Sequence, residues 1–404
     1  MLSFFSTYTL VNVVFPLGRE RREAYRIILL FGVISLLGDI IYEGARGIIA
    51  PYMRSLGASP EIVGLVTGIA DILSYGVRLP AGIYADITGR YWGFTFAGYG
   101  LLISIPLMAL GGTWVLIAIL YLFERMGKGL RSPARDVLLS VPSTKVGTAK
   151  GFALHEVLDQ VGAVLGPLIL ASILYLTLSY SMSFASLAIP YALLMGTLVI
   201  TRGIYVKTIR ITIKKNVRHG FQALNLRPLG KNFILYMMAI AFWGLGFISY
   251  EIFSYFVKDY IPDYEILILY SIAMLVDALG AVLISFTYEK WGFLTLITLP
   301  IVSSILPFTA TIGLRLYVYL TAGLIGIVIG ITETIVRASI ADMIPIEYRG
   351  TAYGIFNITL GFSLLIGKVI TAKIFKTYLL PYYVIILQTL SLIFIVITYI
   401  KLRK

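Results

Sequence analysis

The sequence predicts an all-α membrane protein of twelve transmembrane helices in two pseudo-symmetric six-helix bundles, and three observations carry that prediction. The first is composition: 59% of the 404 residues are hydrophobic, only 13% are charged, and mean hydropathy is +0.91. A soluble domain does not reach such values. The second is patterning, because apolar stretches of 18 residues or more recur along the chain, separated by short turn-rich breaks. The third is an internal repeat. Pro142, Gly147, Thr148, Ala149 and Gly151 recur as Pro345, Gly350, Thr351, Ala352 and Gly354, and Asp86 with Gly89 recurs as Glu289 with Gly292. All the pairs share one offset, half the chain length, as expected of a duplicated unit.

The apolar stretches run over 27–56, 61–85, 92–111, 114–139, 149–176, 182–205, 232–260, 265–288, 293–312, 316–343, 350–376 and 381–400. Each is long enough to cross about 30 Å of hydrocarbon at 1.5 Å per residue. The domain reading is an N-terminal interfacial or cytoplasmic segment over 1–26, a six-helix bundle over 27–205, a basic linker over 206–231 and a second bundle over 232–404. The first residues carry no basic n-region and no small-residue cleavage site, so they read as retained rather than as a secretory leader. Lys and Arg crowd the N-terminal segment, the linker and the C-terminus, whereas the opposite loops hold Arg54, Lys258, Arg315, Lys373 and Lys376. By the positive-inside rule the crowded side is cytoplasmic, with both termini on it, in the plasma membrane. The formal net charge of +13 is distributed by loop rather than gathered on a soluble face, which argues for topology and against nucleic acid.

The loop after span 2 reads Gly82, Asp86, Gly89, Arg90. Small residues there let helix ends approach, and the carboxylate and base can latch to neighbouring helix ends and release when the halves rock; the plainer reading is a tight solvated turn. The twelve spans, the repeat and this loop resemble the major facilitator superfamily, whose signature between helices 2 and 3 is a Gly, an Asp four residues later, a Gly three beyond and then basic residues. The likeness extends from about residue 27 to 400. Ile87 and Tyr91 stand where basic residues are usual, and the second copy has Ser285 for the first Gly. Within the superfamily, Gly127 through Asp136 resembles a prokaryotic subgroup with a GKGxRxxPRD run on helix 4, an Asp and Glu on helix 1, and a His and Asp on helix 5. Here those are Asp39 and Glu43, and His155 and Asp159; Arg46 departs from the subgroup. The resemblance implies alternating access by two rocking halves, with the substrate site at their interface.

Charged residues inside the spans are the candidates for chemistry, since each costs roughly 2.5 to 3.5 kcal/mol at mid-membrane on insertion scales. Span 1 puts Asp39, Tyr42, Glu43 and Arg46 on one helix face, either as a substrate and proton site or as a cluster that orders helices. Span 2 puts Asp71 and Arg78 on one face, as an ion pair or as transport residues. Asp277 in span 8 has no cation in its own helix, so it protonates or finds a partner across the cavity. Span 4 brings Glu124 and Arg125 to the bilayer centre, with Lys128, Arg131 and Arg135 snorkelling toward headgroups. Arg125 with Gly129 resembles the superfamily's helix-4 arginine signature, in which the arginine governs a neighbouring carboxylate. His155 either titrates beside Asp159 or is a hydrogen-bonded core histidine. Gly162, Gly166 and Pro167 resemble the superfamily's helix-5 antiporter motif, although Leu170 and Ala171 replace its paired glycines; close helix packing is the simpler account. Arg131, Arg135, Asp136, Glu289, Glu333 and Arg337 join the 2-to-3 loop as a conformational gate.

Nothing in the sequence cradles a nucleotide phosphate, and the chain holds no cysteine and two histidines, so ATP-driven pumping, catalysis and a metal site find no support. No cofactor is expected. The partners expected are the bilayer and a small-molecule substrate, the protein acting as a monomer. The function expected is secondary transport with coupling through helices 1, 4 and 5: Asp39 or Glu43 takes a proton from outside, and Arg125 and Asp71 tune its affinity. The helix-5 motif leans toward proton-coupled export. Proton-coupled uptake of an organic anion is the alternative, given arginines at 46, 78 and 125, and a non-transporting receptor or lipid-interacting scaffold is the alternative of another class. Phe242, Trp243 and Tyr250 on span 7 either line a site for an amphiphile or pack in the core.

Overall fold

A computed structural model describes residues 18–208, 230–345 and 348–403. Most of the 1–26 segment and of the 206–231 linker, with its basic residues from Arg210 to Arg227, lies outside them. All regular elements among the described residues are helical. Ten helical stretches are long and apolar enough to cross a membrane. One of these, Asp263–Ala310, reverses at Gly292 and counts as two spans; the Trp114–Val146 helix is too charged to register by composition but is as long as its neighbours. Twelve spans result.

In chain order they are α1 (Arg19–Ser55), α2 (Pro60–Gly76 and Arg78–Thr88), α3 (Tyr91–Leu110), α4 (Trp114–Val146), α5 (Thr148–Thr177), α6 (Tyr180–Thr208), α7 (Gly230–Val257), α8 (Asp263–Trp291), α9 (Gly292–Ile297 continuing as Thr298–Ala310), α10 (Arg315–Met343), α11 (Arg349–Ile374) and α12 (Leu379–Leu402). The first helix therefore starts at Arg19, well before position 27, and carries the basic cluster as its own first turns. The face holding the start of α1 and the end of α12 is the near face, and its opposite the far face.

Local chemistry sets the breaks. Ser59 accepts a hydrogen bond from the Ile62 amide (3.4 Å) to cap α2, with Pro60 at its first position. Thr113 and Ser179 cap α4 and α6 in the same way. Gly89 (φ 67°) and Gly292 (φ 59°), matched by the repeat, both turn in the left-handed region where a Cβ is strained. That shared demand is a physical reason for the glycine to recur.

The halves meet through several helix pairs. α2 packs on α11, where a side chain at Gly64 would meet the Lys368 carbonyl oxygen at 2.8 Å. α5 packs on α8, with Ser271 donating to the Val164 carbonyl at 2.7 Å. α1 meets α7 and α8, the Tyr270 ring lying on Gly47. Phe242, Trp243 and Tyr250 take the core alternative: Trp243 and Tyr250 are buried within the second half, Trp243 donates to Ser303 (2.9 Å), and Phe242 stacks on Phe394.

Candidate functional site

A polar cavity of about 300 Å³ opens between the halves. Of the residues singled out from the sequence, Asp39, Glu43, Arg46, Arg78, Arg131, Arg135, Asp136, His155, Asp159, Asp277, Glu333 and Arg337 line it. The structure thus joins spans 1, 2, 4, 5, 8 and 10 around one space. Asp71, Glu124 and Arg125 lie outside the wall. Gly82, Asp86, Gly89, Arg90 and Glu289 sit at the near-face turns, where Tyr91 donates to Asp86 (2.8 Å) and no ion pair ties the 2-to-3 loop to the other half among the described residues.

Helix 4 corrects one expectation. Glu124, Lys128, Arg131 and Arg135 are spaced four, three and four apart, so they form one stripe, and the stripe faces α1 rather than the headgroups. Arg131 is buried, and Lys128 and Arg135 keep only about a fifth of their side-chain surface. The Tyr42 ring collects the cations: Lys128 Nζ lies 4.2 Å from its centroid, with Arg125 and Arg131 at 5.5 and 5.4 Å. A ring face attracts cations most where water is excluded, so snorkelling gives way to inward packing. Glu124, fully buried, lies 2.5 Å from Arg125 and 3.8 Å from Arg131.

On span 2, Asp71 takes the ion-pair alternative, with its partner on another helix, and Val77 between the two pieces of α2 keeps helical dihedrals (φ −71°, ψ −25°). Arg78 lies over Tyr75 and turns to the cavity. Asp71 instead accepts from Lys368 of α11 at 2.7 Å, and Lys368 reaches Glu251 of α7 at 3.4 Å. Glu251 accepts from Arg46 at 3.1 Å, Arg46 lies 3.8 Å from Glu43, and Glu43 accepts from the Tyr270 hydroxyl and lies 4.0 Å from Lys128. The result is an alternating chain of acids and bases, Asp71, Lys368, Glu251, Arg46, Glu43 and Lys128, that crosses from one half to the other twice. Lys368 and Glu251 are absent from the sequence-based candidates. Each is a charged residue within an apolar span, and that placement was itself the available signal.

Asp39 is 5% exposed and Asp277 3% exposed; both face the cavity, and neither makes an ion pair among the described residues. Asp159 accepts from Ser35, whose oxygen also accepts from Arg135 at 3.3 Å, and Arg135 pairs with Asp136 at 2.9 Å. His155 is buried on the cavity wall, its Nε2 without a hydrogen-bond partner among the described residues. Gly162 and Gly166 press on the backbone of Leu36 and Ile40 of α1, beside buried Pro167, so this segment packs two helices of one half.

Toward the far face the halves are shut. Arg54 ends α1 paired with Asp259 and donating to the Tyr255 carbonyl (2.6 Å), and Lys376 donates to Asp259 from α11's end at 2.9 Å. Lys258 binds Asp263 and Tyr180, each at 2.8 Å. Partial burial opposes the Asp259 charge, but hydrogen bonds from Lys376 and Arg54 overcome it and hold the carboxyl below the usual aspartate range.

Two six-helix halves around a polar cavity sealed on one face define a polytopic membrane protein. The sequence model of the Major Facilitator Superfamily matches residues 28–368, and the chain belongs to that family. It is 27% identical over 392 residues to an uncharacterized MFS-type transporter of Methanocaldococcus jannaschii, covering 93% of this chain and 96% of the relative. It is 35% identical over 348 residues to an uncharacterized protein of Mycobacterium tuberculosis, covering 85% of each. Among solved structures it resembles the nucleoside transporter NupG (TM-score 0.66, 16% identity, 94% and 99% covered) and the POT family transporter PepTSo (TM-score 0.70, 11% identity, 94% and 98% covered). These likenesses support a secondary transporter; at such identities the solved structures speak for the fold alone.

Proposed function

We propose that the protein is a proton-coupled exporter of a small polar solute, with the near face cytoplasmic. The observation that carries this reading is Asp39: a buried cavity carboxylate without an ion pair among the described residues, one turn from Glu43 of the chain between the halves. An unpaired carboxylate at that depth gains from protonation, and a proton there cancels a charge beside Lys128 and Glu43. In the near-face-open form a deprotonated Asp39 leaves the cavity polar and ready for solute. After the halves rock, protonation of Asp39 at the far face favours solute release, and the proton leaves on return. Asp277, on the opposite wall, is the second carboxylate able to follow the same cycle. Six cations on the wall, Arg46, Arg78, Lys128, Arg131, Arg135 and Arg337, favour one alternative, uptake of an organic anion with protons.

Proteoliposomes with an imposed pH gradient test the reading. Export predicts solute counterflow driven by the gradient in wild type and lost by more than about tenfold in Asp39→Asn, a barrier change near 1.4 kcal/mol. Flux equally indifferent to the gradient in both proteins would sink proton coupling. Solute accumulating with the protons rather than against them selects symport, and no flux under any gradient selects a non-transporting role.

A further inference from the structure

The pairing of α2 with α11 is tight in the half of the membrane toward the far face and open in the half toward the near face. Gly64, Gly68 and Gly361 sit where a side chain would press into the partner helix. Gly76, Gly350 and Gly354, on the same two helices, meet nothing closer than Leu79 at 4.0 Å. These last three glycines therefore serve no packing contact. They line a crevice of about 250 Å³ whose rim is apolar, with Leu79, Ile358 and Phe362 each more than half exposed. Arg78, next to Val77, lines this crevice, and it lines the central cavity as well. Its Nε is buried without a hydrogen-bond partner, its side chain lies over Tyr75, and it has no ion pair among the described residues. The neighbouring Arg135 is already paired with Asp136.

We infer that this lateral crevice binds an anionic membrane lipid, its headgroup phosphate on Arg78 and part of one chain along Leu79, Ile358 and Phe362. Three features select that occupant. The rim is apolar and exposed on two membrane-spanning helices, a surface suited to acyl chains. The one charge at its inner end is an unpaired guanidinium, which suits a phosphate by shape and sign. The volume takes a segment of chain and leaves the remainder in the leaflet. A zwitterionic lipid offers the same chain but cancels part of the attraction.

The test is photo-crosslinking of the full-length protein in nanodiscs doped with a diazirine-tailed phosphatidylglycerol or the matching phosphatidylcholine, with labelled peptides mapped by mass spectrometry. The expected result is labelling of the peptides bearing Leu79, Ile358 or Phe362 about fivefold stronger with the anionic lipid. Arg78→Gln should erase the preference, and Arg78→Lys should retain most of it. Gly354→Leu, which fills open space, should reduce labelling by both lipids while the thermal melt stays close to wild type. Equal labelling by the two lipids, a preference that survives Arg78→Gln, or loss of labelling on adding inorganic phosphate alone would overturn the assignment.

Discussion

The two ends of the gap between the halves use charge in opposite ways. Toward the far face, each side chain in the Arg54, Asp259, Lys376 and Lys258 group is paired across short, partly exposed contacts that stitch α1 and α6 to α7, α8 and α11. Toward the near face, among the described residues, Asp39, Asp277 and Arg78 face the cavity without an ion pair and none ties the 2-to-3 loop to the other half. Between them lies the buried chain from Asp71 to Lys128. The difference teaches where each element's energy is spent. Exposed pairs are individually weak and can exchange, whereas buried members are costly to leave alone. A transporter that must open the far face can break the first kind, but it has to rearrange the second kind in concert.

The largest effect should follow from breaking the buried chain. Lys368 is 2% exposed and separates two carboxylates, so Lys368→Met leaves Asp71 without its partner and Glu251 with Arg46 alone. Removing one partner from a buried pair costs about 3–5 kcal/mol. The expected outcome is a clearly lowered melting temperature in detergent and flux reduced by more than about tenfold. Adding Asp71→Asn should recover part of the stability, because Glu251 keeps Arg46. If Lys368→Met melts with wild type, or the double variant is no better than the single, the chain does not hold the halves.

That chain also marks what sequence reasoning reaches. The spans are legible because hydrocarbon demands long apolar helices, and the repeat is legible because Gly89 and Gly292 answer the same backbone need. Most of the cavity wall is legible too, since charges inside spans are rare enough to name. Pairing is not. Lys368 and Asp71 are 297 residues apart, and Arg46 and Glu251 are 205 apart. No helical periodicity within one span encodes a contact between halves. For Asp71 an ion pair was one of the readings open from the sequence, but its partner Lys368 lies in the other half. The inward stripe of Glu124, Lys128, Arg131 and Arg135 was present in the spacing, but snorkelling, a rule for isolated long side chains, obscured it.

The far-face stitch should give a moderate effect. Arg54 and Asp259 are roughly a quarter to a third exposed, so their pair is worth about 0.2–1 kcal/mol after screening. Arg54→Ala should leave the melt nearly unchanged and raise the far-face-open population about two- to fivefold. Spin-label distances between α1 and α7 at their far ends would report it. An unchanged distance distribution alongside a large loss of thermal stability would make Arg54 a structural residue and dissolve the contrast drawn above.

The smallest effect is in pH, and its sign separates the two regions. Asp259 has its carboxyl lowered from the ordinary value of 3.8 in the stitched form. A lowered carboxyl contributes its stabilisation fully above the ordinary value and loses it as pH falls through the lowered one. Between about pH 5 and 8 the stitch is therefore constant, and far-face opening driven by it should appear only in strongly acidic solution. Any opening that responds to pH within the neutral range must then arise from the unpaired cavity carboxylates. Spin-label distances measured across that range in wild type, Asp259→Asn and Asp39→Asn divide the possibilities. The expected pattern is a pH response that persists in Asp259→Asn and vanishes in Asp39→Asn. The reverse pattern would move the proton sensor from the cavity to the far-face seal, and the seal would then be the titrating element.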